Sequence, residues 1–310
     1  MNNLTPINQT KLIGLNKYLI ELMKFDGNEN LPTKIMFSGQ KGLGKSTLAL
    51  HFVNYVLSKN ENFRYDLDNC EINIKNESYK TILNLTNPNF TLIDLDDEKK
   101  SIDINQIRLL INNLNKSSFN EKPRFVLIDN IEYLNKNSVN ALLKVLEEPN
   151  PNIHFILINN NKTVLSTLSS RCINFKIWMS NNDCIETANK LLDLKINDYV
   201  NNDFINYYST PGYIYNLINF AKNNNYNLND LNLKQFLKIL IKNNHFKKDN
   251  KFNYIFFDLI ESYFRNLHSS ISVKFYNEYT YFLNRISNTK KYNLDEDSLF
   301  NEFEEEILNV

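Results

Sequence analysis

The chain has only six glycines among 310 residues, and three of them stand within eight positions: Gly39-Gln40-Lys41-Gly42-Leu43-Gly44-Lys45-Ser46. The run reads G-x-x-x-x-G-K-S, a spacing that leaves little choice of local fold. Its glycines let the backbone wrap a phosphate with N–H groups pointing inward. The lysine brings positive charge to the outer phosphates, and the hydroxyl after it suits a magnesium ion. Such a loop belongs between a buried strand and the first turn of a helix, where the helix N-terminus adds its own attraction for anions. Both flanks are present. Lys34-Ile35-Met36-Phe37 is a short apolar run of strand character, and residues 46–58 carry apolar side chains at helical spacing. Gly39, Gln40, Lys41, Gly42, Leu43, Gly44, Lys45, Ser46 and Thr47 are therefore the candidate nucleotide-binding residues.

Further strand-like runs follow at Phe90–Ile93, Arg124–Ile128 and His154–Ile158. Helical patterns separate them, at Ile104–Leu114 and at Val139–Leu146, the latter stopped by Pro149 and Pro151. Continuous apolar strands alternating with helices predict a parallel sheet covered on both faces. The stretch Asn60–Lys80 is polar and reads as an irregular insertion. Beyond Ile177 the strand signal fades. Helical patterns then occupy 183–194 and 212–223, followed by 233–241, 252–267, 273–286 and 297–308. The expected class is α/β followed by all-α, with a nucleotide-binding core at 1–178, a small helical unit at 179–226 and a larger one at 227–310. Aromatic residues of the last part, among them Phe256, Phe264, Phe275 and Phe282, read as a packed helical core. A base-stacking platform is expected on strands amid basic residues instead.

Lys plus Arg and Asp plus Glu each number 35, so the formal charge is zero and a globally basic nucleic-acid binder is disfavoured. Cys70, Cys172 and Cys184 form no C-x-x-C pair, and their odd number argues against a disulfide framework. His51, His154, His245 and His268 are scattered without metal-ligand spacing. No charged start followed by an apolar core opens the chain, and no apolar run reaches spanning length. The expectation is a soluble, cytoplasmic protein without membrane contact.

A phosphate loop needs an acidic partner for magnesium. Phe125-Val126-Leu127-Ile128-Asp129 offers one at the carboxyl end of a strand, the edge where open parallel sheets bind ligands. Ser46 and Asp129 are thus the expected magnesium residues. The next residue is Asn130, and a neutral amide cannot take a proton from an attacking water, so general-base help is missing there. Glu132, two positions on, substitutes only if its side chain points the right way. Leu168-Ser169-Ser170-Arg171-Cys172 follows the last strand. Arg171 is either a surface ion-pair residue or a group supplied to a phosphate, for which its planar fork is suited.

Taken together, these residues resemble the clamp-loader ATPase-type subunits of bacterial DNA polymerase III, most of all the delta-prime members. The resemblance rests on Gly39–Ser46, on Leu127-Ile128-Asp129, on Asn140-Ala141-Leu142-Leu143-Lys144-Val145-Leu146-Glu147-Glu148-Pro149 and on Ser170-Arg171-Cys172. Weaker matches are Asn87-Pro88-Asn89 with Ile104-Asn105-Gln106-Ile107-Arg108, and Tyr292-Asn293-Leu294-Asp295. The resemblance extends over essentially the whole chain.

It implies an AAA+ core, with the two helical parts acting as a lid and as a collar that builds a five-membered ring with delta and gamma/tau subunits. Such a ring loads a sliding clamp onto primer–template DNA. Arg171 would then serve as an arginine finger on the neighbouring subunit's ATP, with helix 140–147 near that interface. ATP or ADP with magnesium is the implied cofactor, and Asn159 or Asn160 stands where relatives place a polar sensor after the strand. Three departures matter. Asn130 replaces the glutamate of hydrolysing relatives, and Tyr213, in Ser209-Thr210-Pro211-Gly212-Tyr213, replaces their lid arginine. Only Cys70 remains where many relatives bind zinc with four cysteines, so no zinc is expected. The resulting expectation is a stator whose own hydrolysis is weak or absent. The alternatives are a gamma/tau-type motor and an unrelated P-loop protein such as a nucleoside kinase or helicase loader.

Overall fold

The computed structural model describes residues 4–27, 31–96, 99, 101–117, 119–148, 150, 152–248, 253–266, 273–292 and 294–309. Pro149, Pro151, Asn293 and His268 lie outside them, as does the side chain of Phe275. The chain divides into two compact units, Met1–Asp183 and Cys184–Val310.

Among its described residues the first unit holds one sheet of five parallel strands: β1 (Lys34–Ser38), β2 (Phe90–Ile93), β3 (Arg124–Ile128), β4 (Ile153–Asn159) and β5 (Ile173–Lys176). Their order is β2-β3-β4-β1-β5. Helices α1 (Asn16–Gly27), α2 (Lys45–Leu57), α3 (Glu77–Leu83), α4 (Ile104–Leu114), α5 (Lys136–Glu147) and α6 (Ser166–Ser169) belong to the same unit. All seven residues of β4 are buried, which is why its sequence is continuously apolar: side chains on both faces of a central parallel strand meet helices. On one face Met36, Val126, Ile128, Phe155 and Leu157 pack with Ile107, Leu110, Leu142 and Leu146. On the other, Phe125 meets Phe52 of α2 edge-to-face, the ring centroids lying 6.3 Å apart.

Caps decide where the helices begin. Asp103 accepts from the N–H groups of Asn105 and Gln106, and the Gln106 side chain accepts from the Asp103 N–H, a complete capping box for α4. Asn135 caps α5 through Ser138, so that helix starts three residues before the apolar pattern that predicts it. Lys34 Nζ donates to the Leu146 carbonyl at its other end, 2.9 Å away. Three elements depart from the sequence reading. The stretch expected to be irregular up to residue 80 turns helical at Glu77, where Asn76 caps α3 through the Tyr79 N–H. Helix α1 and strand β5 were not marked by an apolar run; β5 is an edge strand with mostly exposed side chains.

The insertion before α3 is closed by a short antiparallel bridge between Asp66 and Glu71. The Asp66 carboxylate accepts from the N–H groups of Asp68 and Asn69 at 3.0 and 3.1 Å and from Asn69 Nδ2 at 2.8 Å. Among the described residues no group of three or more His, Cys, Asp or Glu is arranged to hold a metal ion. His51 is buried between the Tyr65 hydroxyl and the Gln9 carbonyl, and burial lowers its pKa to about 4.

α7 (Asn181–Leu192) spans the boundary between the units. The second unit continues with α8 (Pro211–Asn223), α9 (Leu233–Lys242), α10 (His245–Lys248), α11 (Asn253–Asn266), α12 (Val273–Tyr292) and α13 (Glu296–Phe303), ending in a π turn at Glu304–Leu308. Its residues, from Ala188 to Leu308, share one hydrophobic cluster in which Phe204, Phe236, Phe282 and Phe300 are fully buried. Aromatic rings fill this core; Phe256 and Phe300 meet edge-to-face at 4.5 Å. No described helix is long and apolar enough to cross a membrane.

Candidate nucleotide-binding site and exposed arginine

The phosphate loop leaves β1 and runs into α2, at the carboxyl edge of the sheet. Its glycines answer to specific constraints. A Cβ on Gly39 would collide with the Ile177 carbonyl oxygen. Gly42 and Gly44 take φ values of 89° and 84°, the left-handed region, where a side chain is strained. Gly44 is the N-cap of α2, and the Gly39 N–H donates to the Asn159 carbonyl at 3.3 Å, tying the loop to the end of β4.

Lys45 is 3% exposed. Its ammonium turns back on the loop, donating to the carbonyls of Gly39 at 2.9 Å and Gln40 at 2.6 Å. Burial lowers its pKa to about 8, against the opposing pull of Asp129 and Glu132. The Ser46 hydroxyl donates to Asp129 Oδ2. The structure thus brings Lys45, Ser46 and Asp129 together around the loop.

Asp94 is a site residue that the motif reading missed. It follows β2 as Asp129 follows β3, and the two strand ends repeat one pattern, Phe-Thr-Leu-Ile-Asp at 90–94 and Phe-Val-Leu-Ile-Asp at 125–129. Phe90 pairs with Phe125 and Ile93 with Ile128, so the repeat lies in register and sets two carboxylates side by side. Repetition of F-x-L-I-D was the signal that would have found it. The Asp129 pKa is raised to about 6, chiefly by loss of solvation and further by the Asp94 charge, with Ser46 and Lys45 opposing. When folded, Asp129 therefore keeps its proton to higher pH than in the unfolded chain, where about 4 is usual. The folded state binds the extra proton between about pH 4 and 6, so unliganded stability falls as pH rises through that window and stays lower above it. A two-unit difference corresponds to about 3 kcal/mol. Asp129→Asn is expected to raise the unfolding free energy from urea titration at pH 8, by up to about 3 kcal/mol, and to match wild type at pH 4. The same unfolding free energy for variant and wild type at both pH values would contradict a protonation-coupled Asp129.

Asn130 adopts a left-handed conformation, φ 54° and ψ 47°. Its Nδ2 donates to Asp94 Oδ1 at 2.7 Å, and its Oδ1 accepts from Asn160 Nδ2 at 2.8 Å. Asn160 also donates to Glu132, at 2.9 Å through Nδ2 and at 3.4 Å through its backbone. An amide chain thus links the ends of β2, β3 and β4 and connects the carboxylates of Asp94 and Glu132. Asn159 stands apart from it: its side chain exchanges two 3.0 Å hydrogen bonds with the Lys162 backbone. Tyr213 lies in the second unit, buried near the start of α8, with its hydroxyl 3.4 Å from the Phe204 carbonyl.

Arg171 follows α6. Its guanidinium donates to the Thr167 carbonyl at 2.6 Å and to Glu147 Oε1 at 2.8 Å, and a third of its side chain stays exposed. Cys172 packs against the sheet core, and burial raises its thiol pKa to about 11. It is a packing residue that anchors the backbone beneath the exposed arginine.

The sheet order, the glycine loop closing on Lys45 and Ser46, and the acidic end of β3 define an AAA+ P-loop core followed by a helical unit. Residues 16–180 match the family described as DNA polymerase III, delta subunit, and the chain belongs to that family. The delta' subunit of DNA polymerase III from Buchnera aphidicola subsp. Schizaphis graminum is 26% identical over 255 residues, 74% of this chain and 71% of that protein. The gamma subunit from the same organism is 30% identical over 147 residues, 46% of this chain and 37% of that protein. The gamma/tau subunit of Mycoplasma genitalium is 30% identical over 172 residues, 55% of this chain and 27% of that protein. The gamma subunit-related protein of Thermotoga maritima, of known structure, superposes with a TM-score of 0.46 at 18% identity, covering 92% of this chain and 94% of that one.

Proposed function

We propose that the chain is a delta-prime-type subunit of the DNA polymerase III clamp loader, a stator that lends Arg171 to a neighbouring subunit's ATP site. The observation that carries this reading is Asn130. At the position after Asp129 it presents an amide already engaged by Asp94 and Asn160, and an amide cannot act as a general base. The alignment with a delta' relative over most of both chains supports the same assignment.

The loop's donor set suits magnesium–ATP or magnesium–ADP. The Ser46 hydroxyl and the Asp129 carboxylate are hard oxygen ligands of the kind magnesium takes, and Lys45 would exchange loop carbonyls for phosphate oxygens. Magnesium would neutralise phosphate charge there. A nucleotide held in this way serves as a structural element of the ring. The partners that follow are delta and gamma/tau subunits in a pentamer, the sliding clamp and primer–template DNA, and the expected setting is the cytoplasm.

A gamma/tau-type motor is the second reading. Glu132 favours it, since its carboxylate acts electrostatically on Lys45. Co-expression with the same organism's delta and gamma/tau subunits tests the assignment: a stable complex is expected on gel filtration. The purified chain alone should show negligible magnesium-dependent ATP hydrolysis. Turnover abolished by Lys45→Ala would favour the motor instead.

A further inference from the structure

Glu147 ends α5 and holds Arg171, and on the finger reading proposed above this ion pair gains a role. A carboxylate at a helix C-terminus sits at the unfavourable end of the helix dipole, so nothing in α5 itself calls for an acid there. The carboxylate is met instead by the Arg171 guanidinium at 2.8 Å, while the Thr167 carbonyl takes a second N–H at 2.6 Å. These contacts occupy two of the guanidinium's five N–H groups and fix its plane. Both partners are accessible, at 32% exposure for Arg171 and 54% for Glu147, so the pair is of the kind that water and salt weaken.

We propose that Glu147 is a positioning residue for Arg171. It is an anionic stand-in that keeps the finger oriented until a neighbour's phosphate replaces it. A phosphate brought to the same guanidinium competes for an N–H that Glu147 holds and repels its carboxylate. Bidentate engagement through the N–H that Glu147 holds therefore opens the pair, and the pair is weak enough to do so readily.

The test is steady-state ATP hydrolysis by the reconstituted, DNA-stimulated loader carrying Glu147→Gln, Glu147→Asp, Arg171→Ala or Glu147→Gln with Arg171→Ala. Glu147→Gln is expected to raise kcat/KM at the site Arg171 serves by up to about fivefold at low salt, the upper range for an exposed ion pair, and that of the whole loader by less because its other sites are unchanged. This advantage should shrink as salt is raised, because salt also loosens the wild-type pair. Glu147→Asp, which keeps the charge, should fall back toward wild type, and the double variant should behave as Arg171→Ala alone. A lower kcat/KM in Glu147→Gln, no change in it while Arg171→Ala slows the loader, or the same change in the Arg171→Ala background would each overturn the stand-in role and leave the finger reading in place. An Arg171→Ala loader indistinguishable from wild type removes the finger reading, and the stand-in role with it.

Discussion

Lys45→Met is expected to bind magnesium–ATP roughly thirtyfold to several thousandfold more weakly than wild type, with the unliganded fold at least as stable. The affinity loss follows from removing one member of a buried charge pair, which costs about 2–5 kcal/mol. The stability follows from what Lys45 does without nucleotide. It is buried with its ammonium against two loop carbonyls, and burial brings its pKa to about 8, against about 10.4 in an unfolded chain. The folded state therefore holds fewer protons between those values. Unliganded stability rises with pH through that window, and below it the full cost of burying the charge applies. Methionine, of similar length and uncharged, avoids that cost. Thermal unfolding with and without magnesium–ATP reads both effects. Ligand at a hundred times Kd adds about 2.7 kcal/mol to wild type, and at the same ligand concentration Lys45→Met should retain about 0.9 kcal/mol of it or less. A variant stabilised by nucleotide as strongly as wild type would remove Lys45 from the site.

Arg171→Ala is expected to leave ring assembly intact while lowering the DNA-stimulated ATPase of the complex. Assembly should survive because the side chain's contacts are one carbonyl and one exposed ion pair, together worth about 1 kcal/mol or less to the fold. The catalytic effect is larger because an arginine finger stabilises charge that develops only in the transition state. Where hydrolysis depends wholly on it, its loss costs about a thousandfold or more. Here one site of several loses its finger, so the complex should retain the turnover of the others. Arg171→Lys should not restore the rate, since a point charge does not reproduce the planar fork. Gel filtration and ATPase measured on the same preparations separate assembly from catalysis. Unchanged ATPase in Arg171→Ala would contradict the assignment.

Much of the first unit was legible in the chain because β1, β3 and β4 are interior strands buried on both faces, which writes itself as an apolar run, and the edge strand β2 is still half-buried along its length. β1, β2, β3 and β4 all fall where such runs stand. β5 was not visible because, unlike the other edge strand β2, most of its side chains are exposed and its sequence is not apolar throughout. α5 begins before its apolar pattern because a cap, Asn135, sets its start. The glycine spacing also marked where the backbone turns, since Gly42 and Gly44 take left-handed φ values.

Position relative to other strands was not legible. Asp94 became a site residue only when parallel pairing laid Phe90–Ile93 beside Phe125–Ile128 in register. Asn159 and Asn160 are adjacent in sequence and equal candidates there, yet one bonds within its own turn and the other reaches Asn130 and Glu132. A one-residue step along a strand reverses the direction of the side chain, and composition carries no trace of that choice. Lys45, Ser46, Asp129 and Arg171 could be named from local pattern, because loop chemistry depends on residue type at fixed short spacing. The protonation of Asp129, the amide chain around Asn130 and the hold of Glu147 on Arg171 depend on groups 24 to 36 residues apart or more, and only folding brings those charges within reach of one another.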